Sequence, residues 1–421
     1  MSADVVTCFL RREGRVLLGR RSEAVGTYRG QWGAVSGYAE GDPDAAARRE
    51  IDEEVRLLEA VSFVRAGDPL EVVDGERTWV VHPYLFDCGP GEATSNREFE
   101  HVEWVHPTEI RRRETVPSLW KAYEAIAPTV ESVREDALHG SAYVSIRALE
   151  VLRDRASALA DDGDGAEGWE ELAVLARDLL DARPGMAALG NRVDRTMTEV
   201  DGRTADAIER SARKGIERAV RADDRAAERA TDVVEGSDGV LTLSRSGTVE
   251  DALLEAAPGR VVVLESRPAR EGVGVAERLV RAGIDATLTL DAAAAHVVEG
   301  VDCVLVGADT VLADGSVINK VGTRTTAAAA AHEGVPMYAV AAADKVAPTA
   351  EGSTLERIER EAIYGGDASV SVDCPLFDRT PADLVAGVIT EEGVLDREAV
   401  AERAAEHERL ACWRERGPPE Y

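Results

Sequence analysis

The chain has no run of 18 strongly apolar residues, no basic-then-apolar leader and no CxxC pair. The first absence excludes a membrane-spanning helix, and the second leaves no visible signal peptide. The third matters because the five cysteines, Cys8, Cys88, Cys303, Cys374 and Cys412, are widely scattered. Neither a disulfide framework nor a zinc knuckle follows from that spacing, and a reducing cytoplasm is the expected setting. Internal repeats are also missing. Lysine is scarce: Lys121, Lys214, Lys320 and Lys345 are the only four in 421 residues. Against 49 basic residues stand 79 acidic ones, a net charge of −30. Such a chain suits a salt-saturated cytoplasm, where a highly charged hydrated surface keeps a protein soluble. At ordinary salt that charge argues against a nucleic-acid partner, and in molar salt it says little about partners; a nucleic acid is not the expected one. Hydrophobic residues make up 44%, enough for substantial cores, and the length exceeds one core.

Three textures follow one another. In the first, Val5–Leu10 and Arg15–Leu18 read as a hairpin, Thr78–Phe86 and His101–Val105 as strands, and Pro117–Ala125 as a closing helix with the proline in its first turn. In the second, Ser145–Ala160, Trp169–Leu180 and Thr204–Arg229 have helical periodicity. Asp161–Gly165 reads as a turn between the first two, and Arg183-Pro184-Gly185 as a break before the third. In the last, Val240–Leu243, Val261–Leu264, Ala286–Leu290, Val304–Gly307 and Met337–Val340 alternate with helices over Val249–Ala256, Val275–Ala282 and Thr325–Glu333. That alternation predicts a parallel sheet covered on both faces, with ligands at the carboxyl ends of its strands.

Two segments carry chemistry. Asp42 can cap a helix that begins at Pro43 and presents Arg49, Glu50, Glu53 and Glu54. Glu50, Glu53 and Glu54 stand at i, i+3 and i+4, so three carboxylates share one face and call for a cation. In the last region, Ser244-Arg245-Ser246-Gly247-Thr248 joins a strand to a helix N-terminus, an arrangement that favours an anion. Asp309 follows another strand, and Asn319-Lys320 comes ten residues on. Lysine supplies charge, asparagine fixes hydroxyls and aspartate moves a proton, a set suited to a phosphorylated sugar.

The first segment resembles the Nudix box. Arg49-Glu50-Ile51-Asp52-Glu53-Glu54 matches its second half, and Trp32–Gly37 its lead-in. The resemblance implies that Glu50, Glu53 and Glu54 hold Mg²⁺ or Mn²⁺, that Glu53 and Glu54 serve catalysis, and that water attacks a diphosphate. The departures are a shorter loop, Glu40 and Asp42 flanking Gly41 in place of the regular glutamate, and Arg56 for the closing glycine. Specificity would come from loops outside the box, here Ser22–Gln31 and Pro90–Glu98.

The region from about residue 129 onward resembles the alpha/beta/delta subunit family of translation initiation factor 2B, with its methylthioribose-1-phosphate and ribose-1,5-bisphosphate isomerases. The matching segments are His139–Ala142, Arg183-Pro184 with Asn191, Leu241–Thr248, Glu265–Pro268, Gly307–Asp309, Ile318–Thr323 and Phe377–Pro381. In the isomerase branch a cysteine and an aspartate shuttle protons. Asp309 keeps the second role, while Ser244 stands in the cysteine's place. A serine hydroxyl has no accessible anion near neutral pH, so isomerase chemistry is expected to be lost while phosphate binding survives. By resemblance the ligand contacts are His139 (where the isomerases carry arginine), Gly140, Ser141, Arg183, Arg245, Ser246, Asn319, Lys320 and Lys345. Cys303 reads as core packing rather than a substitute thiol.

The expected fold is an α+β Nudix-like domain over residues 1–127, a helical subdomain over 128–230, and a Rossmann-like α/β domain with a mainly parallel sheet over 231–421. The first functional expectation is a metal-dependent hydrolase of a nucleoside-diphosphate-type substrate, joined to a module that binds a nucleotide or sugar phosphate. The alternatives are a non-catalytic initiation-factor-type sensor, with initiation-factor subunits as candidate partners, and an aldose–ketose isomerase working with Ser244. The resemblance also implies a homo-oligomer.

Overall fold

The computed structural model describes residues 2–75, 77–162, 165–350 and 357–415. The chain divides into two compact units. The first comprises Met1–Ser132, Glu150–Leu172 and Arg203–Ile216, and the second Val133–Leu149, Ala173–Gly202 and Glu217–Tyr421. No helix among the described residues is long and apolar enough to cross a membrane.

An eight-stranded mixed sheet organises the first unit. Its strands are β1 (Ser2–Arg12), β2 (Arg15–Arg21), β3 (Trp32–Gly33), β4 (Val35–Tyr38), β5 (Val61–Ala66), β6 (Leu70–Asp74), β7 (Arg77–Cys88) and β8 (Phe99–Val105). The expected hairpin is β1–β2, and β1 also runs parallel to β7 from Ser2 opposite Thr78 to Arg11 opposite Asp87. Side chains alternate across β1 as a strand requires. Val6, Cys8 and Leu10 pack with Ala46, Ala47, Ile51 and Val55 of α1 (Pro43–Val55). Phe9 points to the other face, against Leu119, Ala122 and Tyr123 of α2 (Leu119–Glu124). Pro117 stands before α2 rather than in its first turn, because Ser118 is the residue that leads into the helix.

Five helices follow: α3 (Val130–Glu135), α4 (Ser141–Asp162), α5 (Gly165–Ala182), α6 (Ala187–Thr198) and α7 (Ala205–Val234). The expected turn at Asp161–Gly165 shrinks, since α4 runs through Asp162 and α5 starts at Gly165; residues 163 and 164 lie outside the described residues. Parts of α4, α5 and α7 belong to the first unit. There the fully buried Arg153 donates to the Gly14 carbonyl at 2.7 Å and to the Tyr123 hydroxyl at 3.2 Å, and pairs with Asp154 at 2.8 Å. Gly14 has φ +74°, and a Cβ there would lie 2.4 Å from Ile216. The tip of the hairpin is therefore closed by residues far along the chain.

The second unit is built on a seven-stranded sheet in the order β11-β10-β9-β12-β15-β17-β18. Its strands are β9 (Val240–Leu243), β10 (Val261–Leu264), β11 (Ala286–Thr289), β12 (Cys303–Gly307), β15 (Met337–Val340), β17 (Gly387–Thr390) and β18 (Gly393–Leu395). All neighbours are parallel except β17–β18. Val261 and Val263 face one layer, with α8 (Gly247–Ala256), α9 (Glu271–Arg281) and the end of α7. Val262 and Leu264 face the other, with α10 (Ala294–Val297) and α11 (Thr323–Glu333). Covering both faces makes the strands continuous apolar runs. A small antiparallel sheet of β13 (Thr310–Val311), β14 (Val317–Lys320) and β16 (Phe377–Thr380) sits beyond β12, and α12 (Arg397–Leu410) follows the last strand. The strand order reverses direction between β9 and β12, which is where sheets of this kind hold ligands.

Candidate functional site

Each unit presents one site. In the first, the α1 helix is placed by its caps. The Asp42 carboxylate accepts from the Ala45 N–H at 3.1 Å, and Pro43 starts the helix. At the other end Arg56 adopts the left-handed conformation, φ 55° and ψ 39°, and its N–H closes on the Asp52 carbonyl at 3.2 Å. That is the geometry a C-terminal glycine usually supplies, so Arg56 keeps the shape of the motif at some backbone cost.

The three carboxylates of α1 have different surroundings. Glu54 is 1% exposed and accepts from the Ser36 N–H at 3.2 Å, while its Oε1 has no hydrogen-bond partner. Burial pushes its carboxyl well above the usual range, and the Glu98 and Glu50 carboxylates push the same way. Glu50 is half-buried and raised mainly by burial, with Arg49 opposing at 3.2 Å. It lies so close to Gly37 that a Cβ there would stand 2.2 Å from its carboxyl carbon. Glu53 is exposed. Among the described residues no three His, Cys, Asp or Glu side chains are gathered closely enough to hold a metal ion. The expected metal trio is thus not preassembled: two carboxylates turn inward and the third faces solvent.

The residues nonetheless suit a divalent cation. A buried carboxylate oxygen without a partner, flanked by two more carboxylates, is costly until a cation or a proton neutralises it. Glu98 is the residue that motif spacing missed. The Asn96 N–H on the Glu54 carbonyl and the Thr94 N–H on the Val55 carbonyl tie its loop to the end of α1. A cleft of about 640 Å³ opens here, lined by Glu50, Glu53 and Glu98, by Arg21, Arg49 and Arg97, and by Tyr28, Tyr38 and Trp79. The Trp79 indole N–H donates to the Tyr28 hydroxyl at 3.2 Å, and that hydroxyl donates to Asp74 at 2.9 Å. Tyr38 and Trp79 rings lie 6.3 Å apart. Both loops expected to set specificity contribute lining residues.

The second unit gathers its site from strand ends. Ser244 follows β9 with φ 67° and is 8% exposed. Its hydroxyl donates to Glu271 Oε2 at 2.7 Å. Glu271 opens α9, beyond β10, and also pairs with Lys320 Nζ at 3.2 Å. Ser246 caps α8 by accepting from the Val249 N–H, and a Cβ on Gly307 would lie 2.8 Å from its side chain. Asp309 follows β12, and its N–H donates to the Ile318 carbonyl at 3.0 Å. Lys345 Nζ donates to the Ala308 carbonyl at 2.8 Å, one residue before Asp309. Asn319 is buried and donates to Thr323.

Around these groups the remaining candidates fall into a loop and a scaffold. His139 pairs with Asp136 at 2.9 Å and stacks on Tyr143 with ring centres 3.9 Å apart. Arg245 donates to the Leu138 carbonyl at 3.0 Å, and Arg183 to the carbonyls of Val133 and Asp136, so both guanidiniums hold the backbone that carries His139. Gly140 is exposed, and Ser141 is buried with no partner for its hydroxyl. Beneath Lys345, Asp344 pairs with Arg192 at 3.1 Å and with Arg195. Burial pushes this carboxyl up, but the two guanidiniums prevail and hold it at about 2. Asn191 ties the Asp344 and Val346 carbonyls to α6, both at 2.8 Å. Cys303 is buried in β12, and burial pushes its thiol up to about 11, as suits core packing. Sequence reasoning passed over Glu271 and Asp344. The available signal for Glu271 was an acidic residue opening a helix at the ligand edge.

Comparison with known proteins places a family on each half of the chain. Residues 137–397 match the model of the initiation factor 2 subunit family, and residues 1–126 match that of the NUDIX domain. The chain is 31% identical over 290 residues to ribose 1,5-bisphosphate isomerase of Haloferax volcanii, covering 65% of this chain and 89% of that protein. It is 31% identical over 312 residues to methylthioribose-1-phosphate isomerase of Pseudomonas fluorescens, covering 66% and 86%. Among solved structures, the translation initiation factor eIF-2B of Pyrococcus horikoshii superposes with a TM-score of 0.55 at 26% identity, over 63% of this chain and 94% of that one. The 5-methylthioribose 1-phosphate isomerase of the same organism shares the fold, with a TM-score of 0.52 at 21% identity over 75% and 90%.

Proposed function

The chain belongs to the initiation factor 2 subunit family and carries a NUDIX domain ahead of the matched region, and from that premise we propose that it is an enzyme of phosphorylated sugars with two sites. In the first unit the reaction is metal-dependent hydrolysis of a nucleoside-diphosphate-type substrate. The observation that carries this reading is Glu54, a buried carboxylate with an unpartnered oxygen beside Glu50 and Glu98. Glu50, Glu53 and Glu54 would hold Mg²⁺ or Mn²⁺, which when bound neutralises phosphate charge and supplies an activated water. Arg21 and Arg97 offer charge-assisted hydrogen bonds to phosphate oxygens. Trp79 and Tyr38 offer ring faces to a base.

In the second unit the site takes a sugar phosphate, with Lys320, Lys345 and Asn319 on the phosphate side and Asp309 as a proton-transfer group. The two halves then share a chemistry. Cleaving a diphosphate attached to C1 of a sugar leaves a sugar 1-phosphate, and both relatives are named for isomerising a ribose phosphorylated at C1. The competing reading, a non-catalytic sensor, draws on the departures at both sites: Ser244 and His139 in the second unit, and the short loop and Arg56 of the first. We also expect the second unit to associate with copies of itself, which sedimentation velocity would refute by finding only monomer.

Phosphorus NMR of the full chain with Mg²⁺ and nucleoside-diphosphate sugars tests the first site. New nucleoside monophosphate and sugar 1-phosphate signals are expected. An unchanged spectrum from folded, metal-loaded protein would overturn the hydrolase reading.

A further inference from the structure

We propose that Glu271 is the catalytic base of the second site, so that this chain performs aldose–ketose proton transfer with a carboxylate where its relatives use a thiol. The proposal rests on reading that site as one for a sugar phosphorylated at C1.

The argument starts from what Ser244 cannot do. A serine hydroxyl cannot serve as a base near neutral pH without a partner to take its proton. In this chain the partner is present. The Ser244 hydroxyl donates to Glu271 Oε2 at 2.7 Å, so the position of the missing thiol is wired to a carboxylate. Glu271 lies at the carboxyl edge beside the switch between β9 and β12, close to the groups that resemblance assigns to ligand. Carboxylates are established bases for this reaction class elsewhere.

Two further observations separate this from a structural ion pair. First, the backbone around the carboxylate is held in costly conformations: Ser244, Ser266 and Arg270 all have left-handed φ, at 67°, 61° and 57°. None is a glycine, and such strain gathers at functional sites. A mere salt bridge does not require it. Second, the cation paired with Glu271 is Lys320, which the resemblance assigns to the phosphate side of the ligand. Lys320 Nζ lies 3.3 Å from Glu271 Oε1 and 3.2 Å from Oε2, so without ligand Lys320 and Ser244 together occupy the carboxylate. When a phosphate arrives, the ammonium has a stronger partner, and the oxygen it leaves is free to accept a proton while Ser244 holds the other. Substrate binding thereby arms the base.

The step balances without any co-reactant. The C1–O4 ring bond breaks with its electron pair going to O4, which takes a proton from Asp309. Glu271 removes the proton at C2, and that pair forms the C1=C2 double bond of an enol phosphate. Glu271 then returns its proton to C1 as the C2 hydroxyl gives its own back to Asp309 and becomes the ketone. Both carboxyls end as they began, and the product is the ketose 1-phosphate.

The test uses the full chain with ribose 1,5-bisphosphate in D₂O, followed by carbon and phosphorus NMR. The wild type is expected to form the ketose. Glu271→Gln should lower turnover about 10²–10⁴-fold, the usual contribution of a positioned base, while still binding the bisphosphate in titration calorimetry. Glu271→Asp should recover part of the rate, and Ser244→Ala should cost less than Glu271→Gln. Turnover by Glu271→Gln within a few-fold of wild type would overturn the proposal alone. Absence of turnover by the wild type, with the ligand bound, would overturn the isomerase reading and the proposal with it.

Discussion

The two sites are built in opposite ways. In the first unit the candidate metal carboxylates lie on one helix: Glu50, Glu53 and Glu54 are neighbours in sequence, and α1 alone sets their spacing. In the second unit Ser244, Glu271, Asp309, Lys320 and Lys345 come from five separate segments. A site on one helix survives local change as long as the helix does. A site assembled from strand ends depends on whatever fixes the sheet and its loops, including groups that never meet the ligand. That difference gives each site its own way of failing.

The strongest test of the helix-borne site lies within the motif. Glu53→Gln should reduce phosphoanhydride hydrolysis about 10²–10⁴-fold, measured by phosphate release, with the fold intact because Glu53 is exposed. Glu54 makes a complementary, thermodynamic prediction. Its carboxyl is raised by burial in the folded state, so the fold binds this proton more tightly than the unfolded chain does. Metal-free stability should then fall as pH rises above the free glutamate value, about 4.3. Glu54→Gln should raise the metal-free melting temperature at pH 7 and abolish any increase produced by Mg²⁺. A variant that melts lower and still responds to Mg²⁺ would break the assignment.

The assembled site should fail from a distance. Asp344→Asn removes the carboxylate that Arg192 and Arg195 share, leaving them the more distant Asp223 at 3.9 Å and Glu199 at 3.6 Å, and removing one partner of a buried pair typically costs about 3–5 kcal/mol. Denaturant unfolding measures it, and sugar-phosphate affinity should fall as well because Lys345 adjoins Asp344. The same carboxyl sits at about 2 in the fold against about 3.9 when free. Its stabilisation is therefore fully present above about pH 4 and disappears as pH falls through 2. The smallest effects sit at the ends of α1. Asp42→Ala should cost about 1 kcal/mol through the lost cap. Arg56→Gly should gain about 1 kcal/mol by relieving the left-handed backbone, with hydrolysis unchanged. A loss in its place would mean that the Arg56 side chain has a role the backbone does not reveal.

The same contrast explains what could be read from the sequence. The α1 motif and the strands β9, β10, β12 and β15 announce themselves, because short apolar runs between helices leave few alternatives. Helix α6 does not. Its buried face carries Asn191, Arg192, Asp194 and Thr196, the first three bonded to remote segments, so its apolar pattern is broken. Helix α12 buries only Val400, Ala404 and His407. The strand β13 is two residues long, too short for any period to show. Glu98 and Glu271 were hidden by number: among 79 acidic residues, only proximity to Glu54, or to Ser244 and Lys320, marks them out.

The closure of the hairpin tip has a consequence for synthesis. The NUDIX-matched segment ends at residue 126, yet the contacts that finish its unit come from Arg153 and from Ile216. A chain emerging from the ribosome at about 5–20 residues per second makes the first segment several seconds before those partners exist. In that interval the Gly14 carbonyl, the Tyr123 hydroxyl and the apolar surface near them wait uncovered. The N-terminal unit is thus begun first but closed only once Ile216 has followed, and a truncation just after residue 126 would hold it in that unfinished state.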